Sequence, residues 1–169
     1  MISMNNIDFT ALRAEALEQW LPHLHGNRFA SICAIKGIPG EAETNGKPFF
    51  GADAEALERA LTTLGWKSNN WCGVAIVLPN KGTLAAQELR LLIETIDPQA
   101  IIALDQQAAA ALQEGYGTEI MPRIPRPGVK AKLLGRTLVF VDGFEAALAS
   151  ADNQEAKQRV WKQLKALKR

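Results

Sequence analysis

Few side chains in this sequence have both the type and the spacing that bond-breaking chemistry requires. The histidines are His23 and His25, at the end of an apolar-periodic stretch. Two imidazoles there suit the negative end of a helix dipole and read as surface residues. His23-Leu24-His25 also lacks the neighbouring donors of a metal site. The cysteines are Cys33 and Cys72. Each lies in an apolar run, far from the other and without ligand spacing, so both read as reduced core thiols. No Ser-His-Asp or Cys-His constellation can be assembled, and Gly37-Ile38-Pro39-Gly40 is not a phosphate-cradling loop. Asp142 and Glu145 remain as an acid/base pair, but a carboxylate just after a strand is more often a helix cap.

Binding has better material. The loop from Lys36 to Gly51 is long, rich in glycine and proline, and carries the adjacent aromatics Phe49 and Phe50. Loops of this length inside a compact domain are more often functional than idle. The plainer reading is that the two rings plug the core beneath a long loop. Basic residues gather in two places. Arg123, Arg126, Lys130, Lys132 and Arg136 form the better nucleic-acid or partner patch. Lys157, Arg159, Lys162, Lys165, Lys168 and Arg169 read as a solvated helix face with favourable charge at its C-terminal end.

These features need a scaffold, and the apolar spacing supplies one. Phe9, Leu12, Ala16, Trp20 and Leu24 recur at helical spacing and predict a helix from about Asp8 to Leu24. Phe29 to Ile35, Cys72 to Leu78, Ala100 to Leu104 and Leu138 to Val141 are compact apolar runs that predict buried strands. Between them, helices are expected at about Asp53 to Leu64, after an N-cap at Thr83, and from Gln106 to Gln113. A last helix runs from about Gln154 to Lys168. Ile120 to Arg136 does not fit the alternation and reads as a surface excursion. Strands alternating with helices imply parallel pairing with helices on both faces. The expected class is therefore α/β: a three-layer α/β/α sandwich on a four-stranded parallel sheet, in a single domain over residues 1–169. Ligands of open parallel sheets bind at the carboxyl ends of the strands, and the Lys36–Gly51 loop leaves such an end.

The composition is ordinary for a globular chain, with 47% hydrophobic and 22% charged residues. A formal net charge of +1 excludes a global basic field, so any DNA contact must be a local patch. No apolar stretch reaches the roughly 20 residues of a membrane span. Met1 to Asn6 show no basic region followed by an apolar run, so no secretory signal is visible and a cytoplasmic location is expected.

Gly37-Ile38-Pro39-Gly40-Glu41-Ala42-Glu43, followed by Asn45-Gly46-Lys47-Pro48-Phe49-Phe50-Gly51, resembles the first motif of the iron–sulfur (family 4) uracil-DNA glycosylases. That motif reads approximately GEAPGxxED, a few residues, then GRPFVG and a helix. Asp97 to Asp105 with Ala108 to Leu112 is similar to the family's RPKVIVALGxxAAxxLL stretch, and Glu155 to Leu164 to its closing KREVWEDLKxL helix. The resemblance implies a glycosylase-like fold and a base pocket built by Gly37, Pro39, Gly40, Glu41, Phe49 and Phe50. In such a pocket Phe49 would stack on an extruded base.

The same resemblance marks what is missing. The family's catalytic histidine, which stabilises the departing uracil anion, falls within a residue or two of Phe144. Its base-reading asparagine falls near Ala75 and its first-motif glutamate near Gly37. Pro79 and Ala85 stand at two approximate cluster-cysteine places, and two strand cysteines cannot supply the four thiolates of an iron–sulfur cluster. No catalytic residue, cofactor or metal is therefore expected. The psi subunit of the bacterial DNA polymerase III clamp-loader assembly has a glycosylase-like fold without the activity, and Ala151-Asp152-Asn153 to Trp161 resembles its end. The expected function is a non-catalytic binding or accessory subunit of DNA replication or repair. Its partner would be a protein of that machinery, with DNA as a further ligand. The alternative is an active glycosylase with a rebuilt site, excising uracil or a modified base.

Overall fold

A computed structural model of the protein describes residues 8–149 and 152–169. Met1 to Asn6 and Ala151, on which two of the expectations rest, lie outside the described residues. Four strands carry the sheet: β2 (Ile32–Lys36), β3 (Trp71–Ala75), β6 (Ala100–Ala103) and β8 (Arg136–Phe140). They pair in parallel, with Ile32 beside both Trp71 and Ala100, and Ala100 beside Thr137. The sheet is wider than the apolar runs predict. The short strands β1 (Leu24–Gly26) and β7 (Ala131–Leu133) add antiparallel edges, giving six strands in the order β1-β3-β2-β6-β8-β7. A separate hairpin pairs β4 (Val77–Leu78) with β5 (Gly82–Thr83).

Side chains alternate across a strand, so each strand feeds two cores. Cys33, Ile35, Val74, Ile101 and Leu138 face one apolar cluster. It is covered by α1 (Phe9–Leu17), α4 (Ala86–Ile96) and α5 (Gln106–Tyr116). Ile32, Ala34, Ile102 and Val139 face the other, under α3 (Ala52–Thr63), α6 (Phe144–Leu148) and α7 (Gln154–Leu164). The protein is thus mixed α/β, with helices on both faces of a mostly parallel sheet. Both cysteines are free and buried in the first cluster, in register on adjacent strands. Burial pushes the Cys33 thiol well up and the Cys72 thiol up to about 12.

Several local expectations are corrected. The first helix stops at Leu17, and a 3-10 turn over Glu18–His23 containing Pro22 leads into β1. Of its predicted face only Trp20 is buried, while Phe9 and Leu12 are 70% and 52% exposed; the helix turns Leu17 into the core instead. Proline lacks the amide hydrogen that would continue the helical ladder. Thr83 is not a helix cap: it pairs with Val77 in the hairpin, and α4 starts after Ala85. Arg136 leaves the basic patch. It is 8% exposed, and its guanidinium grips Glu94 through two bonds (2.8 and 3.1 Å), Asp97 at 2.8 Å and the Pro98 carbonyl at 3.1 Å. This fork ties the C-terminal end of α4 to β8, and it holds the Glu94 carboxyl below its usual range. No helix among the described residues is long and apolar enough to cross a membrane.

Candidate functional site

Lys36 ends β2 at the carboxyl edge of the sheet, and its side chain is 1% exposed. An ammonium held in the interior without a partner would lose its proton or unfold the site. Here three carboxylates from three different segments surround it. Its Nζ donates to Glu43 Oε1 at 2.9 Å and to Asp53 Oδ2 at 2.5 Å, and it is paired with Glu145 Oε1. Glu43 belongs to the short helix α2 (Glu41–Thr44), Asp53 to the start of α3 and Glu145 to α6. The carboxylate oxygens lie within 4.8 Å of one another, a spacing suited to a cation, and the lysine ammonium provides that charge. Burial alone would lower the Lys36 pKa, but the bonds it donates to Asp53, Glu145 and Glu43 outweigh it, and the net shift is upward. Burial together with repulsion from Asp53 and Glu43 raises the Glu145 carboxyl, against the pull of Lys36.

Glu43 also organises the loop. Its Oε1 accepts the Gly40 amide at 3.0 Å and its Oε2 the Phe49 amide at 2.8 Å. The second bond fixes Phe49 in a left-handed backbone (φ 51°) that turns the ring into the second core cluster. Phe49 is 0% exposed, 5.7 Å from Trp71 and 4.7 Å from Lys36 Nζ by ring centroid. It lies against Gly73, where a Cβ would come within 2.6 Å of the ring. Phe49 is therefore a core residue and not a stacking platform. Phe50 is the exposed aromatic of the pair, at 65%, with Lys47 Nζ 4.7 Å above its ring.

The amides at the end of β2 are also occupied. Asp105, the N-cap of α5, accepts the N–H of Gly37 and of Ile38 (both 2.9 Å) and of Ala108 (2.8 Å). A Cβ at Gly37 would meet Ala108 N at 2.5 Å, so only glycine lets the loop close on that carboxylate. What remains open is a cleft of about 860 Å³, lined among others by Pro39, Gly40, Glu41, Phe50, Asp53 and Glu145. Four of the six expected pocket residues thus line it; Gly37 is buried against α5 and Phe49 is in the core. The walls present Glu41 and Glu145 to a ligand, the wrong sign for a phosphate backbone.

The positions expected to have lost catalytic groups offer no replacement. Phe144 is 3% exposed within the core, and Ala75 sits in register beside Lys36. Asp142 and Glu145 do not form a pair: Glu145 is engaged with Lys36, while Asp142 is exposed and its amide donates to Gln163. Of the two histidines, one is buried and the other half-buried. His23 is 8% exposed and its Nδ1 donates to the Ala75 carbonyl at 2.7 Å. His25, on β1, packs 5.3 Å from Trp71, and burial lowers its pKa although Asp53 pulls the other way. An iron–sulfur cluster does not fit the donors present, since both thiols face the apolar core. Lys36, Glu43, Asp53 and Asp105 were not among the expected site residues. A lysine closing an apolar strand was the available signal for the first. No family model matches this chain, and no curated protein matches it.

Proposed function

We propose that this chain is a non-catalytic binding protein with a uracil-DNA-glycosylase-like fold, acting in the cytoplasm as an accessory subunit of DNA replication or repair. The observation that carries the loss of chemistry is the Lys36 cluster. A base pocket needs a stacking ring and unoccupied polar groups to read the base edge. In this cleft the resembled ring is in the core, the loop amides are taken by Asp105, and the buried carboxylates are taken by Lys36. An oxyanion leaving group would meet Glu145 and no free cation in the cluster, which opposes charge stabilisation of the kind such a reaction needs. The assignment to replication or repair rests on the three stretches that resemble the glycosylases and on the tail that resembles psi.

The test is single-turnover release of uracil from single- and double-stranded DNA. The expected result is no release above the buffer control by the wild-type chain. Release that falls when Glu145 is changed to Gln would sink the reading and establish a rebuilt active site instead.

A further inference from the structure

The segment between α5 and β7 builds a second concavity, on the opposite face of the sheet from the cleft. Its floor is Met121 and Leu138, both buried with the first core cluster. Arg123, Arg126, Lys130 and Lys132 stand around a groove of about 470 Å³, and no carboxylate lines it. All four cations are exposed, and among the described residues none of their side chains has an ion-pair or hydrogen-bond partner. Arg13, Arg90 and Arg136, by contrast, are bonded to main-chain carbonyls. Lysine on an edge strand commonly serves only to block pairing, and Lys132 alone would need no other account. Arg123 and Arg126 come from the crossing segment ahead of β7, which meets the sheet only where Pro127 bridges Phe140, so Arg123 guards no strand edge.

The lining decides between two polyanions. Sequence-tolerant binding of single-stranded nucleic acid relies on aromatic rings that stack bases, and no aromatic lines this groove. Its apolar floor under a cationic rim instead matches an acidic segment that also carries apolar side chains. β7 is the outermost strand of the sheet, so an extended peptide beside it gains main-chain partners as well. We infer that the groove receives an extended acidic peptide with interspersed apolar residues, belonging to a partner protein. This names the partner class for the binding role above and rests on that reading. Uracil release tests the loss of chemistry separately, so the two fail independently.

The experiment is fluorescence anisotropy with the full chain and a short labelled peptide of alternating aspartate and leucine. A peptide with asparagine for aspartate and a labelled oligothymidylate serve as the other probes. The aspartate peptide is expected to bind, to weaken with added salt, and to lose about tenfold or more in affinity to the Arg126→Glu/Lys130→Glu variant. The asparagine peptide should lose a similar factor, and Arg159→Glu on α7 should change nothing. Both altered positions are exposed, and an unchanged circular dichroism spectrum reports that the fold is intact. No binding of the aspartate peptide, binding indifferent to the charge reversal, or tighter binding of oligothymidylate would each overturn the proposal. The last would make the groove a nucleic-acid surface.

Discussion

Replacing Lys36 by methionine is expected to lower the stability of the fold by about 3–5 kcal/mol, as for removal of one partner from a buried ion cluster. Methionine keeps the length and apolar stem of lysine, so the loss reports the charge more than the packing. Without the ammonium, Glu43, Asp53 and Glu145 face one another within 4.8 Å in a site closed to water on most sides. Glu145→Gln should cost far less, under about 1 kcal/mol, because its carboxyl is already held above its usual range and is partly exposed. Urea unfolding of the two variants checks the contrast. Comparable losses for both, or a loss below about 1 kcal/mol for Lys36→Met, would contradict the assigned role. A pH dependence follows from the direction of the Lys36 shift. A lysine whose folded pKa lies above its ordinary 10.5 contributes stability that is complete below that value. The contribution is lost as the pH rises through the raised value, so wild-type stability should fall on alkalinisation while Lys36→Met lacks that component.

Phe49→Ala is expected to cost about 3–5 kcal/mol, and Phe50→Ala to stay within about 0.5 kcal/mol. The two rings are adjacent in sequence and opposite in environment. Phe49 fills the space over Gly73, between Trp71 and Lys36, and truncation leaves a cavity there. Phe50 lies on the cleft wall with its ring mostly in solvent. Thermal unfolding of both variants separates the assignments. A stacking role for Phe49 in an open pocket requires the opposite pattern, with little loss of stability when the ring is removed.

The parallel centre of the sheet was legible because each of its strands coincides with an apolar run long enough to be buried on both faces. The edges were not. β1 and β7 have three residues each and are held by antiparallel pairing to a neighbour, which leaves almost no hydrophobic signature. The cleft's location after β2 could be read from the glycine- and proline-rich loop, whereas its contents could not. Lys36 meets Glu43 seven residues on and Asp53 seventeen residues on, with Glu145 from the far end of the chain. No local pattern links those positions. Phe49 was a different matter, since a glycine inside an apolar strand often marks a close approach. Gly73 was that signal, and its missing side chain is where the ring lies. Arg136 shows the limit of counting charges along a segment. Five basic residues share a stretch, but the one that enters β8 finds Glu94 and Asp97 and becomes structural.

A cleft whose polar groups are already bonded within the chain should not bind a base, and a titration of free uracil into isotope-labelled protein measures this. The amides of Gly37, Gly40 and Phe49 and the Lys36 side chain are the signals to follow by NMR. No saturable shift is expected at any of them, because their polar groups are already bonded within the chain. Saturable shifts at Gly37 and Phe49 with a change in the Lys36 signal would show the cluster opening around a base, and would contradict it.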